Sequence, residues 1–286
     1  MSILHVLYNP YAGNGRGEES ARRLSEMLPD DELRFQAMTE IEDYASFLSG
    51  VPAGEALLIC GGDGTLNRFI NDTEGLNVPN PILYFACGSG NDFLHDLEKA
   101  PGSAPFEITD CLKDLPTVTV KGKTYRFLNG VGYGIDGYCC EVGDKLRETT
   151  DKPVNYAGIA IKGLLFYYKP TNATVTVDGV TKTYRKVWLA PTMHGRFYGG
   201  GMMPTPDQDR RDPEGKLSLL VWHGSAKIPT LAAFPSIFKG EHVKKTKMCE
   251  ILTGKEITVA FDAPVALQID GETILGVTEY TAKSSR

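Results

Sequence analysis

An apolar run, Glu55-Ala-Leu-Leu-Ile-Cys60, passes without a spacer into Gly61-Gly62-Asp63-Gly64-Thr65-Leu66-Asn67. The run reads as a buried strand and Leu66 to Asn71 as a short helix, so the glycines occupy a strand-to-helix turn. Such a turn suits a phosphate: glycine lets the backbone approach closely, and a helix start offers free N–H groups and the positive end of its dipole. Asp63 in that position needs a reason, because a carboxylate beside phosphates is repelled unless it holds Mg2+ or fixes the loop by hydrogen bonds. The plain alternative is an ordinary glycine-rich turn.

Two more glycine-rich segments follow expected strands. Asn9-Pro10-Tyr11-Ala12-Gly13-Asn14-Gly15-Arg16-Gly17 comes after Ile3 to Tyr8, and Gly88-Ser89-Gly90-Asn91-Asp92-Phe93 comes after Ile82 to Ala86. Between them the pattern predicts a helix carrying Ala21, Leu24 and Leu28 and a strand over Leu33 to Met38. A second helix, with Ile41, Ala45 and Leu48 on one side, follows a Thr39/Glu42 capping box, and Asn91 to Glu98 predicts another. Strands alternating with helices predict a parallel sheet covered on both faces, with ligands at the carboxyl ends of its strands. All three loops fall at that edge.

After about Pro116 the pattern changes to hairpins. Thr117–Val120 and Thr124–Leu128 flank Lys121-Gly122, and Thr174–Val177 and Thr181–Leu189 flank Asp178-Gly179. Leu217–Trp222, Ile257–Phe261 and Val265–Ile269 continue in that style, with helical insertions near Tyr138–Glu148, Tyr156–Tyr168 and Ile228–Phe238. A chain of 286 residues is long enough for two cores. The expected division is an α/β domain over 1–116 and an antiparallel β domain over 117–272, with 273–286 free to return to the first and a cleft between the two.

The ordered set Asn9-Pro10…Gly13, Gly61-Gly62-Asp63-Gly64-Thr65, Gly88-Ser89-Gly90-Asn91-Asp92-Phe93 and Asp270-Gly271-Glu272 resembles the diacylglycerol kinase catalytic family, which includes sphingosine kinases and bacterial lipid kinases. The resemblance covers almost the whole chain. It implies an NAD-kinase/phosphofructokinase-like α/β nucleotide-binding domain, a C-terminal β-sandwich, and transfer of the γ-phosphate of ATP to a lipid hydroxyl, diacylglycerol first. The ATP site it implies comprises Asn9, Pro10, Tyr11, Ala12, Gly13, Thr39, Gly62, Asp63, Gly64, Thr65, Leu66, Asn67 and Ser89. At Asp270-Gly271-Glu272 the family supplies the proton acceptor for the hydroxyl; Glu272 is expected in that role with Asp270 in support, both carried by the end of the strand Val265–Ile269. Without the resemblance, Asp270-Gly271 would read as a hairpin turn.

Asp212-Pro213-Glu214-Gly215-Lys216-Leu217 resembles the family segment that holds Mg2+, which implies Glu214 as ligand and carbonyls from Arg211 and Lys216, with Asp212 in reserve. Two departures stand out. Glu214 replaces the usual Asp, and Val118-Thr119-Val120-Lys121-Gly122-Lys123 lacks an Asp that the family often carries before the domain crossing. Gly-Gly-Asp-Gly-Thr alone is shared with NAD kinases, so an NAD kinase-like enzyme competes, as does a nucleotide- and lipid-binding protein without catalysis.

The rest of the sequence narrows the setting. A net charge of −6 argues against nucleic acid as the partner. The six cysteines lack a Cys-x-x-Cys pair and suggest neither zinc nor a disulfide framework, and the five histidines lack metal spacing. No run reaches the roughly 20 apolar residues needed to span a bilayer, and no leader is expected at the N-terminus. The expectation is therefore a cytoplasmic enzyme that meets its lipid at the inner membrane surface, with a homodimer left open. Tyr156, Ile159, Ala160, Gly163, Leu164 and Tyr167 share one side of an expected helix and, by resemblance, face the lipid. Lys145, Arg147, Lys152 and Lys162 are candidates for anionic headgroups, while simple core is the competing reading of the apolar face. Gly132-x-Gly134-x-x-Gly137 fits a dinucleotide fingerprint but follows a hairpin strand, and is read as coincidental.

Overall fold

The computed structural model describes residues 2–88, 90–147, 149, 154 and 156–286. Ser89 and Lys152 lie outside the described residues. The chain divides into two compact units, Met1–Lys113 and Asp114–Arg286.

The first unit is built on β1 (Ile3–Tyr8), β2 (Glu32–Ala37), β3 (Ala56–Gly61), β4 (Ile82–Ala86) and β5 (Phe106–Glu107), in the order β2-β1-β3-β4-β5. The first four run parallel and β5 closes the edge antiparallel to β4. Leu57, Leu58, Ile59 and Cys60 are fully buried, as a central parallel strand covered on both faces requires. The helices are short: α1 (Ala12–Gly15), α2 (Gly17–Arg22), α3 (Leu24–Met27), α4 (Tyr44–Ser49), α5 (Asp63–Asp72) and α6 (Asp92–Asp96). The single helix expected through Ala21 and Leu24 is thus two pieces, although both residues still reach the core. Thr39 does not cap α4. It lies in a tight turn, Met38–Glu40, and Asp43 accepts from Ala45 N and Ser46 N at 3.1 Å each. A carboxylate next to the helix start gains from the dipole as well as from the bonds, and so displaces the threonine.

The second unit contains β6 (Thr117–Val120), β7 (Lys123–Arg126), β8 (Gly130–Tyr133), β9 (Thr171–Val177), β10 (Val180–Val187), β11 (Thr192–Met193), β12 (Leu217–Trp222), β13 (Cys249–Gly254), β14 (Glu256–Ile269) and β15 (Glu272–Lys283). These form an antiparallel sheet in which β14 pairs with β15 along one side and with both β9 and β8 along the other. The two strands expected at 257–261 and 265–269 are one strand with register shifts between Ala260 and Leu267, and Pro264 sits where the ladder is interrupted. The bend lets one strand serve two partners, and Val131, Tyr133, Val175, Val259, Leu267 and Tyr280 are buried in one core cluster. Segment 273–286 does not return to the first unit. Tyr280 to Lys283 pair with Val120 to Thr117, which fixes the tail within the second.

Helices α7 (Ile135–Arg147), α8 (Tyr156–Lys162) and α9 (Lys227–Ala233) gather around a separate cluster with Trp188 and Trp222. After Lys162 the helix widens into a π-turn, Gly163–Tyr167, which rotates the following side chains. Ile159, Ala160 and Leu164 are consequently buried core, while Ile161, Phe166 and Tyr167 are exposed. The face expected to meet lipid is therefore mostly the packed one. Lys145 pairs with Glu141 and Arg147 with Asp144. Among the described residues, no helix is long and apolar enough to cross a membrane.

Candidate active site

The strand order of the first unit places β1 beside β3, with chain connections leaving in opposite directions, and a crevice opens at such a switch point outside the strand ends. The loops after β1, β3 and β4 meet there. A Cβ on Gly88 would stand 2.4 Å from Gly62 Cα, and one on Gly13 would stand 2.9 Å from the Cys87 carbonyl oxygen, so the three backbones touch in a way only glycine permits. Gly62 begins α5 without a side-chain cap. The first N–H groups of that helix, at Asp63 and Gly64, are those a helix cannot satisfy internally.

Asp63 reaches across to the neighbouring loop. Its Oδ1 accepts from Phe93 N at 2.9 Å and its Oδ2 from Asp92 N at 3.0 Å, which pins the loop after β3 to the start of α6. Loop fixation, one of the two reasons open to a carboxylate here, is present. Asn9 Oδ1 accepts from Tyr11 N at 3.0 Å and its Nδ2 lies 3.5 Å from the Thr65 hydroxyl, joining the first loop to α5. Thr65, Leu66 and Asn67 are buried supports, Pro10, Ala12 and Gly13 are partly exposed, and Tyr11 and Thr39 are exposed at the strand ends. Asn91 adopts a left-handed conformation and donates to the Gly88 carbonyl at 2.8 Å. Sequence reading took Asn91-Asp92 as a cap or ligand loop; its function as the anchor for Asp63 carries no short-range signature.

In the second unit, Asp270 and Gly271 form the two-residue turn joining β14 to β15, with φ of 47° and 100° and Ile269 opposite Glu272. The two acids are not equivalent. The Asp270 carboxylate is buried and accepts from the N–H groups of Leu128, Asn129 and Gly130 at 2.6, 2.8 and 3.0 Å. Glu272 is exposed. Gln268, not singled out in the sequence, accepts from Gly271 N at 2.6 Å and sets the turn. The carboxylate left available at this hairpin is that of Glu272.

The segment expected to hold Mg2+ forms a hydrogen-bonded turn at the surface. Glu214 pairs with Lys216 Nζ at 2.6 Å on the surface, Asp212 accepts from Glu214 N and Lys216 N, and the Lys216 carbonyl accepts from Gln208. Arg211 N donates to Asp209 in the same turn. Among the described residues, no group of three or more His, Cys, Asp or Glu side chains converges as a metal site would.

Asp136, in the glycine-rich stretch from Asn129 to Gly137 that also resembles the family, is a buried acid to which the sequence assigned no function. A Cβ on Gly132 would lie 2.0 Å from its Oδ2 and 2.5 Å from Gln268 Nε2, and the buried Tyr198 hydroxyl stands against the carboxyl group. Burial raises its pKa from 3.8 to about 7. Between those values the folded chain keeps a proton that the unfolded chain has lost, so stability is highest below the unfolded pKa and falls as pH rises to about 7. The loss is on the order of 4 kcal/mol. Urea unfolding at pH 5 and pH 8 should show Asp136→Asn flattening that slope and gaining most on the parent at pH 8. Gly134 packs against the Trp188 carbonyl and Gly137, in α7, against the Ala266 carbonyl, so the dinucleotide-like pattern is close packing where the helix starts against the sheet.

Residues 3–120 match the diacylglycerol kinase catalytic domain, and residues 129–283 match the YegS C-terminal NAD kinase beta sandwich-like domain. The chain belongs to the diacylglycerol kinase catalytic-domain family. This lipid kinase is 26% identical over 280 residues to a Mycobacterium tuberculosis protein named diacylglycerol kinase, covering 93% of this chain and 87% of that one. Its fold is shared with the crystal structure of a Bacillus anthracis diacylglycerol kinase, at 20% identity and a TM-score of 0.61, covering 99% of the kinase and 94% of that chain. The kinase carries its glycine loops within the first matched segment and the Glu272 hairpin within the second.

Proposed function

We propose that the kinase transfers the γ-phosphate of ATP to the free hydroxyl of diacylglycerol. The observation that carries this reading is the clamp of Asp63 on the start of α6, which with the Gly62–Gly88 and Gly13–Cys87 contacts draws the three glycine loops together at one sheet edge. The nucleotide, entering as its Mg2+ complex, is assigned to Asn9–Gly13, Thr39, Gly62–Asn67 and Ser89. The lipid oxygen attacks the γ-phosphorus, the bond to the β-phosphate oxygen breaks, ADP leaves, and the hydroxyl proton passes to the Glu272 carboxylate. Positioning and charge neutralisation do most of the work in such a transfer, and a carboxylate is a suitable acceptor.

The test is transfer of labelled γ-phosphate to a panel of micellar lipid alcohols and to NAD. Labelled phosphatidic acid is the expected product. Labelled NADP, or bound ATP with no transfer to any alcohol, would overturn the proposal.

A further inference from the structure

The proposed reaction consumes a substrate dissolved in a bilayer, yet the chain carries a net charge of −6 and would be repelled by an anionic membrane. The stretch from Lys227 to Lys247 departs from that average. It contains five lysines, at 227, 239, 244, 245 and 247, and a single acid, Glu241. Lys239, Lys244, Lys245 and Lys247 are exposed. Where Lys145, Lys182 and Lys283 each pair with a carboxylate, none of these four does so among the described residues.

The fold holds these charges outward. His242 is fully buried, lies parallel to the Trp222 ring at 5.9 Å, and places its Nε2 2.8 Å from the Pro204 carbonyl oxygen. Lys245 N donates to the His242 carbonyl, and Met248 N and Cys249 N close on the Lys245 carbonyl, so Lys244 to Lys247 form a tight turn before β13. This turn and the α9 residues Pro229, Ala232 and Ala233 line a groove of about 450 Å³. Helix α9 also packs on the π-turn, where Lys227 Nζ donates to the Leu165 carbonyl at 3.2 Å. On α9 Ile228 is 76% exposed, and on the π-turn Phe166 and Tyr167 are 69% and 68% exposed.

Resting on the lipid-kinase reading, we propose that α9, the π-turn and the Lys244–Lys247 turn together form the surface by which the chain docks on an anionic lipid bilayer. Unpaired ammonium groups beside exposed aromatic and aliphatic side chains match the layering of a bilayer, with phosphates outside and acyl chains just beneath. Lysine suits that role as a flexible point charge without a demand for bidentate geometry. A globular protein partner would instead favour a flat apolar centre depleted in lysine.

The full chain is sedimented with phosphatidylglycerol–phosphatidylcholine vesicles and with phosphatidylcholine alone. The parent should bind the anionic vesicles and release them as salt rises. Combined Lys244→Gln, Lys245→Gln and Lys247→Gln should weaken binding about a hundredfold, since each lysine near such a surface contributes about fivefold. These residues stand outside the machinery assigned to transfer, so activity in neutral detergent micelles should stay at the parent level. Ile228→Asn should weaken vesicle binding without changing its salt dependence. Equal binding by parent and lysine variant, or a parent indifferent to lipid charge, overturns the docking surface. A parent that never sediments with vesicles also overturns it and points to a protein partner. Failure of the kinase reading would look different: no lipid phosphorylated in micelles by any form.

Discussion

Glu272→Gln is expected to fold as the parent does and to transfer phosphate about 10²–10⁴-fold more slowly, the range spanned by removing a general base. Glutamine keeps the size and the hydrogen-bonding reach of the side chain but cannot take up the hydroxyl proton. Because Glu272 is exposed on the first residue of β15, its replacement disturbs no packing, and the loss should fall on kcat. Initial rates in micelles, set beside thermal unfolding, separate the two effects. A variant that retains kcat to within a few-fold would remove Glu272 from the reaction and reopen the question of the acceptor.

Asp270→Ala should behave in the opposite way, losing stability first. The change strands the N–H groups of Leu128, Asn129 and Gly130 in a buried setting, at about 1–3 kcal/mol for each unsatisfied group. It also places alanine at a φ of 47°, which aspartate tolerates better. Several kcal/mol should be lost in urea unfolding. Any fall in activity should track the unfolded fraction and recover at low temperature, where the parent fold is restored. If Asp270→Ala unfolded at the parent's denaturant concentration, the carboxylate would not be the clamp described above. Measured together, the two variants divide one hairpin into a residue that holds it and a residue that acts.

Much of this was readable in the sequence. Apolar runs located β1 to β4 and alternation located β6, β7, β9, β10, β12 and the two halves of β14, while β5, β8, β11, β13 and β15 went unread; the three glycine loops fell at one sheet edge because parallel strands must all end there. Three features were hidden, each for a definable reason. The break between Ile257–Phe261 and Val265–Ile269 looked like two strands because a bulge interrupts alternation without ending the ladder. The lipid-facing stripe was drawn on a 3.6-residue period, which the π-turn at Gly163 shifts. The hydrogen-bond partners of Asp63 and Asp270 were hidden because a sequence shows a carboxylate without showing the backbone N–H groups aimed at it. Those donors lie 29 to 30 residues away for Asp63 and 140 to 142 for Asp270.

The pairing of β15 with β6 sets an order for biosynthesis. Contacts of the first unit are complete by Lys113, so that unit has everything it needs to fold while the ribosome is still adding residues. Val118 and Val120, buried in the second core, must wait for Ala282 and Tyr280 to be made. For most of translation β6 is an apolar edge with no neighbour on that side, the state in which a nascent chain is most exposed to aggregation and most in need of a chaperone.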